Sequence, residues 1–240
     1  MNARRLTAAL KRLAHAFRYS GPGAQIDWHQ RAAVHGRRAV LNLGHKEEQF
    51  ETVTHDQKAQ IFPFFSHLLS GEESVILDFG CGPGRFSGDL ADMTNAQVLA
   101  IDPIPEFLEM APPHASVKYE PINDGKIPAA TGSIDIIWIC LVLGGLRGRI
   151  LGQARSELNR VLKRGGLLFL VENTSDRPSP GHYQFRSFAS YKALIPFVQL
   201  DYFSSYQDLG ETISIMAGRR QESASAPSHM NLDWATCCCR

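Results

Sequence analysis

Two carboxylates and three alternating glycines carry the chemistry most plainly written in this 240-residue chain. Val75-Ile76-Leu77-Asp78-Phe79 reads as a buried strand with an acid near its end, and Gly80-Cys81-Gly82-Pro83-Gly84 turns the chain away from it. Alternate glycines let the backbone approach a ligand or take a positive φ that a Cβ would penalise. The helix expected next, residues 85–93, presents the unpaired N–H groups of its first turn to the same crevice. Open α/β sheets bind ligands there, beyond the carboxyl ends of their strands. Three ligand classes compete for such a loop. A phosphate-binding P-loop needs Gly-Lys-Ser/Thr after its last glycine, and Arg85-Phe86 stands there instead. A dinucleotide fingerprint is G-x-G-x-x-G, whereas Gly80, Gly82 and Gly84 alternate strictly. Asp78, just ahead of the first glycine, suits a ligand bearing an ammonium better than one bearing a pyrophosphate. The glycine pattern by itself is weak evidence among the three.

The elements that must position this loop follow in order. A second strand, 98–102, ends in Asp102, about 20 residues past the loop, where a ribose-binding acid belongs. One carboxylate can accept from two adjacent hydroxyls. Pro103-Ile104 offers an apolar surface to a base. A third strand, 117–122, runs into Asn123-Asp124-Gly125, which is either a contact for a base's exocyclic amine or only a turn. Residues 133–140 form a near-continuous apolar run, the pattern of a strand covered on both faces. A helix over 149–162 is expected to close at Lys163-Arg164-Gly165-Gly166, with cations and glycines suited to a helix C-terminus. Residues 167–171 make a fifth strand.

With the D-F-G-C-G-P-G loop, Asp102, the approach from Ile127-Pro128 to Ile134-Asp135, the Arg164-Gly165-Gly166 turn and a terminal strand pair at 198–203 and 212–217, joined through Tyr206-Gln207-Asp208-Leu209-Gly210, the chain resembles the class I S-adenosylmethionine-dependent methyltransferase family over residues 56–220. The resemblance implies an α/β, Rossmann-like, seven-stranded, mostly parallel sheet with helices on both faces and a terminal antiparallel hairpin. It implies S-adenosyl-L-methionine as cofactor. Gly80, Cys81, Gly82 and Gly84 would pass along its methionine moiety, with Asp78 holding the ammonium. Asp102 and Pro103 would meet the ribose and base, and Asn123 or Asp124 the adenine. Cys140 and Leu141 would line the sulfonium side. The plain alternative for Asp78 and Asp102 is a strand-end cap, and Asp135 is expected to bond loop backbone.

One departure from the family bears on mechanism. Many members acting on small molecules carry a polar residue after strand four, and here that segment is Leu141-Val142-Leu143-Gly144-Gly145-Leu146. Either the base comes from elsewhere or the nucleophile needs little help, as with a carboxylate, a thiolate or a neutral amine. His45, Glu172, Asn173, His182 and Tyr183 are the acceptor-side candidates, with a hydrogen-bonded loop histidine the plain alternative for each His. The expected organisation is a helical or lid segment at 1–55, the cofactor-binding catalytic domain at 56–220 and a flexible tail at 221–240.

Composition fits one α/β core, with 44% hydrophobic residues and a net charge of +1. That charge argues against nucleic-acid binding driven by bulk electrostatics, and the Asn/Asp-Pro-Pro-aromatic motif of the family's nucleic-acid amino-methylating members is not matched by Cys140-Leu141-Val142-Leu143. No apolar run approaches the roughly 20 residues of a spanning helix. No metal site is expected, since the adjacent Cys237, Cys238 and Cys239 cannot easily close a tetrahedral zinc site alone. The first 26 residues contain no acid and repeat Leu6, Leu10, Leu13 and Phe17 at helical spacing among basic residues. Packing on the core or across a dimer, peripheral membrane contact through residues 1–20, and a targeting or frayed segment all remain open for them. The reading is a cytoplasmic enzyme, monomer or homodimer, methylating an O or N of a small molecule such as a sugar, a natural-product intermediate or a lipid-linked precursor. The alternatives are a non-catalytic cofactor-binding regulatory or scaffold subunit and, disfavoured by the loop, a nicotinamide-dependent oxidoreductase.

Overall fold

Alternation along the apolar runs sends successive side chains to opposite faces of one sheet. The computed structural model describes residues 27–179 and 183–221. The expectations for the segment 1–20, for His182 and for the tail with Cys237 to Cys239 lie outside the described residues. Helix α1 (Trp28–His35) and α2 (Phe50–His67) precede β1 (Val75–Phe79). There follow α3 (Ser87–Thr94), β2 (Gln97–Asp102), α4 (Pro105–Glu109), β3 (Val117–Pro121), β4 (Ile134–Cys140), α5 (Gly148–Val161), β5 (Leu162–Asn173), α6 (Phe188–Leu194), β6 (Val198–Asp208) and β7 (Glu211–Arg220). The sheet has seven strands in the order β3-β2-β1-β4-β5-β7-β6. β3 to β5 pair in parallel, while β7 runs antiparallel to both β5 and β6.

In β4, Ile137 and Ile139 face α5 and α6, packing with Leu158 and Tyr191. Ile136 and Trp138 face α2 and α3, packing with Ile61, Phe65 and Leu90. The Trp138 ring stacks on Phe169 at 4.9 Å, and Phe65 meets both rings edge-on. A strand buried on both faces has no polar side to show, which is why β4 reads as continuous apolar sequence. The order reverses between β1 and β4: the chain leaves β1 toward α3 on one face and leaves β4 toward α5 on the other. Their carboxyl ends part there and open a crevice.

Element boundaries shift from the sequence reading, and three of the shifts bear on the architecture. The helix after the glycine loop begins at Ser87 rather than residue 85. β5 begins at Leu162, so Lys163-Arg164-Gly165-Gly166 continues into a strand instead of ending a helix. Leu162 already pairs with Ile134 across a bulge at Asp135, which draws the segment into the sheet. Asp135 itself bonds loop backbone as expected: one oxygen accepts from the N–H groups of Ser74 and Val75, the other from Lys163 Nζ. The terminal hairpin is longer than expected and turns through Leu209-Gly210 alone, both at positive φ, the geometry that matches strand twist in a two-residue turn.

Candidate functional site

The loop after β1 is shaped by close approach rather than by flexibility. Gly80 has φ 75°, and a Cβ there would lie 2.6 Å from Val142 Cγ2; a Cβ on Gly82 would lie 2.9 Å from Val40 Cγ1. The N–H groups of Gly80 and Cys81 both donate to the Ile101 carbonyl, at 2.8 and 3.0 Å, which pins the loop to the end of β2. Asp102 completes the tie: one carboxylate oxygen accepts from Gly82 N–H at 3.0 Å, the other from Ile104 N–H at 2.9 Å. Asp78, at the next strand tip, accepts from the Ser87 hydroxyl at 2.7 Å.

These groups line one cavity of about 360 Å³ at the mouth of the crevice. Both carboxyls are buried. Burial pushes Asp78 up to about 7, the Ser87 hydrogen bond opposing and the Asp102 charge adding to the rise. Burial likewise lifts Asp102 to about 6 against the N–H groups of Ile104 and Gly82. Two desolvated carboxyls beside bare glycine backbone fit a ligand that brings positive charge and hydroxyl donors. Ile104, Phe107 and Ile122 give the cavity an apolar wall on the Asp102 side. Pro103 lies on that wall, whereas Asn123 and Asp124 do not; their neighbours Ile122 and Gly125 do. Asn123 instead forms a bridge with Lys126 around Asp124, which sits at φ 54°.

Cys140 and Leu141 reach the cavity from the end of β4. The Cys140 thiol is pushed up to about 12 by burial, which disfavours its thiolate at neutral pH. Leu141 holds φ 58°, an uncommon conformation for a bulky residue, fixed by its N–H bond to the Val171 carbonyl.

The acceptor-side candidates sit elsewhere. Glu172 is fully buried and accepts from the N–H groups of Val142 (2.8 Å), Leu143 (2.5 Å) and Gly144 (3.3 Å), and from the hydroxyls of Tyr183 (2.6 Å) and Tyr191 (3.2 Å). Tyr183 lies so close over Gly144 that a Cβ there would be 2.1 Å from its ring, which accounts for the bare glycine after strand four. Arg186 donates to the Leu143 and Leu146 carbonyls, and Gln184 N–H to that of Gly144. Asn173 bonds Glu211 and the Ser175 N–H. His45 pairs with Asp208 at 2.6 Å. His45, Glu172, Asn173 and Tyr183 are all absent from the cavity wall.

Sequence reasoning passed over Arg85, Phe107, Gln153 and Ile150, all on the wall. Arg85 entered it only as the residue that breaks a P-loop. Its position directly after the last glycine was the available signal.

The strand order, terminal hairpin and glycine-loop crevice define a class I, Rossmann-like methyltransferase fold. Residues 77–170 match the family model described as a methyltransferase domain. The malonyl-acyl-carrier-protein O-methyltransferase of Pseudescherichia vulneris is 24% identical over 187 residues, which cover 78% of this chain and 71% of that one. The enzyme of the same name from Herminiimonas arsenicoxydans is 32% identical over 160 residues, 65% of this chain and 59% of that one. Among solved structures, a SAM-dependent methyltransferase from Aquifex aeolicus superposes with a TM-score of 0.55 at 17% identity, covering 81% of this chain and all of that one; this likeness bears on the fold. Residues 77–170 thus carry a methyltransferase domain, on the fold of S-adenosylmethionine-dependent enzymes.

Proposed function

We propose that this chain transfers a methyl group from S-adenosyl-L-methionine to an oxygen or nitrogen of a small molecule, releasing S-adenosylhomocysteine. The observation that carries the reading is the pair of buried carboxyls, Asp78 and Asp102, flanking bare glycine backbone in one cavity. In this assignment Asp78 takes the ammonium and Asp102 the ribose hydroxyls. The backbone of Gly80 and Gly82 runs beside the methionine chain, and Ile104 and Phe107 pack on the base. Cys140 and Leu141 border the sulfur. When bound, the cofactor supplies a methyl group on a positively charged sulfur. The chain's own task is then to align an acceptor and exclude water, effects that supply much of the acceleration in such displacements.

Glu172, Tyr183 and Arg186 serve this task as positioning residues: they hold the segment 142–146, whose Val142, Gly145 and Leu146 form cavity wall. Two relatives named for O-methylation of a malonyl group on a carrier protein support a small acceptor group. Among the described residues no helix is long and apolar enough to cross a membrane. We place the enzyme in the cytoplasm, as a monomer or homodimer acting without nucleic acid. Calorimetric titration with S-adenosylmethionine, S-adenosylhomocysteine and NAD tests the reading, followed by transfer of a labelled methyl to a small-molecule panel. Binding of the first two without NAD is expected; binding of NAD alone would return the loop to the dinucleotide class.

A further inference from the structure

Arg85 is the one cation on the cavity wall among the described residues, and it is 8% exposed. Its Nε donates to Thr54 Oγ1 at 3.1 Å and its Nη2 to Gln57 Oε1, both neutral acceptors on α2. The rings of Phe86 and Phe50 lie 4.9 and 5.9 Å from it. No carboxylate forms an ion pair with it among the described residues. The acid that acts on it, Asp208, is reached through Gln57 and is already paired with His45. A buried guanidinium held only by neutral groups is a costly arrangement in a fold, and one that an entering anion relieves. Its fork matches a carboxylate in two parallel hydrogen bonds. Beside it, the Tyr206 hydroxyl is buried with no hydrogen-bond partner.

The rest of the wall says what kind of acceptor would use it. Among the described residues the wall carries no His, Glu, Lys or Tyr. Its two carboxylates are assigned to the cofactor in the reading above, on which this inference rests. An alcohol acceptor would need a base to take its proton, and an ammonium acceptor would need both a base and an anionic neighbour. A carboxylate needs neither. We propose that the acceptor is a carboxylic acid in its ionised form, that Arg85 holds it, and that the product is a methyl ester. One carboxylate oxygen uses a lone pair to form the new bond to the methyl carbon as the sulfur–carbon bond breaks and its electron pair stays on sulfur. The carboxylate and sulfonium charges cancel, and no proton has to leave.

The test is calorimetry on the full chain saturated with S-adenosylhomocysteine, titrated with hexanoate, hexanol and hexylamine and with the malonyl thioester of N-acetylcysteamine. The two carboxylates are expected to bind and the alcohol and amine to bind at least about tenfold more weakly, as a charged pair against a neutral or like-charged group requires. In Arg85→Met, carboxylate affinity should fall about tenfold or more with S-adenosylhomocysteine affinity held. Preference for hexanol or hexylamine, or no binding by either carboxylate, would overturn the proposal. So would a loss of S-adenosylhomocysteine affinity in Arg85→Met with decarboxylated S-adenosylmethionine still bound at wild-type strength, which would give Arg85 to the cofactor's own carboxylate. Should Arg85→Met not fold, the ranking by the wild-type protein still decides. If wild-type protein binds neither S-adenosylmethionine nor S-adenosylhomocysteine, the cofactor assignment fails, a result separate from any ranking of acceptors.

Discussion

At the scale of single residues, Asp78 serves two states with opposite needs. In the ligand-free protein its carboxyl is buried and lifted to about 7. A carboxyl whose folded pKa stands above its unfolded value stabilises the fold fully below the unfolded pKa, near 4, and that contribution is lost as pH rises through about 7. Asp102 adds the same trend up to about 6. Cofactor binding runs the other way, because an ammonium needs the ionised form. Below pH 7 the affinity for S-adenosylhomocysteine should therefore fall, by up to about tenfold per pH unit for one competing proton. Calorimetry from pH 5.5 to 8 checks this, and Asp78→Asn should give weak binding with a profile that is flat above about pH 6, where Asp102 is ionised. The same variant should melt several degrees higher than wild type without ligand at pH 8, since it removes a buried charge while keeping an acceptor for Ser87. Asp102→Ala should weaken cofactor binding by about 1–3 kcal/mol, the usual loss when a charged hydrogen-bond partner is removed. Unchanged affinity there would remove the ribose from Asp102.

At the scale of elements, the cavity wall after β4 is held from behind. Val142, Leu143 and Gly144 carry no polar side chain, and Glu172 at the end of β5 holds their backbone through its N–H groups. Burial pushes the Glu172 carboxyl up from its ordinary value, and the hydrogen bonds from Tyr183, Leu143, Val142 and Tyr191 oppose that. Glu172→Gln keeps the shape but turns an acceptor into a donor facing donors. It should cost about 1–3 kcal/mol, read as a lower denaturation midpoint at unchanged slope. Turnover and cofactor affinity should both fall, because the displaced segment is cavity wall and its Val142 abuts Gly80. Gly144→Ala should act in the same direction, the new methyl forcing the Tyr183 ring off the segment.

This arrangement also marks where the sequence stopped being legible. The apolar runs and the glycine loop stated the strands, their order of appearance and the two carboxylates, because periodicity and turn chemistry are local. Glu172 and Tyr183 stood out as polar groups after a buried strand, but whether such a group faces a crevice or turns back on a loop depends on a partner segment some 30 residues away in sequence. Lys163 to Gly166 looked like a helix end, since cations and glycines suit one; only pairing with β4 reveals that the segment continues as a strand.

At the scale of the whole molecule, the stretch from Asp27 to Gln49 couples distant parts of the fold to the cavity. Val40 abuts Gly82, and Trp28 packs edge-on against Phe107 at 6.4 Å. Arg31 and Arg38 bind the stretch to itself by donating to its own carbonyls, Arg31 to Ala39 and Leu41 and Arg38 to Leu43 and His45. Its far end is clasped by His45, whose Nε2 lies 2.6 Å from Asp208 at the tip of β6, both side chains nearly buried. From Asp208 the polar chain runs through Gln57 to Arg85 and so returns to the cavity. Trp28 and Val40 are themselves cavity wall, so a ligand that touches them binds best when the stretch is in place. Ligand binding and closure of the stretch must then favour each other reciprocally. Two results are expected from hydrogen exchange read by mass spectrometry. Saturation with S-adenosylhomocysteine should slow exchange across residues 28–45 more than across α6, which forms no part of this cavity's wall. His45→Ala, which leaves the Asp208 carboxylate short of its partner, should speed exchange in the same residues without ligand and weaken S-adenosylhomocysteine binding by about 3- to 10-fold, within the usual range of coupling between sites. Equal protection of α6 and residues 28–45 on binding would show that the stretch is a fixed wall, uncoupled from ligand.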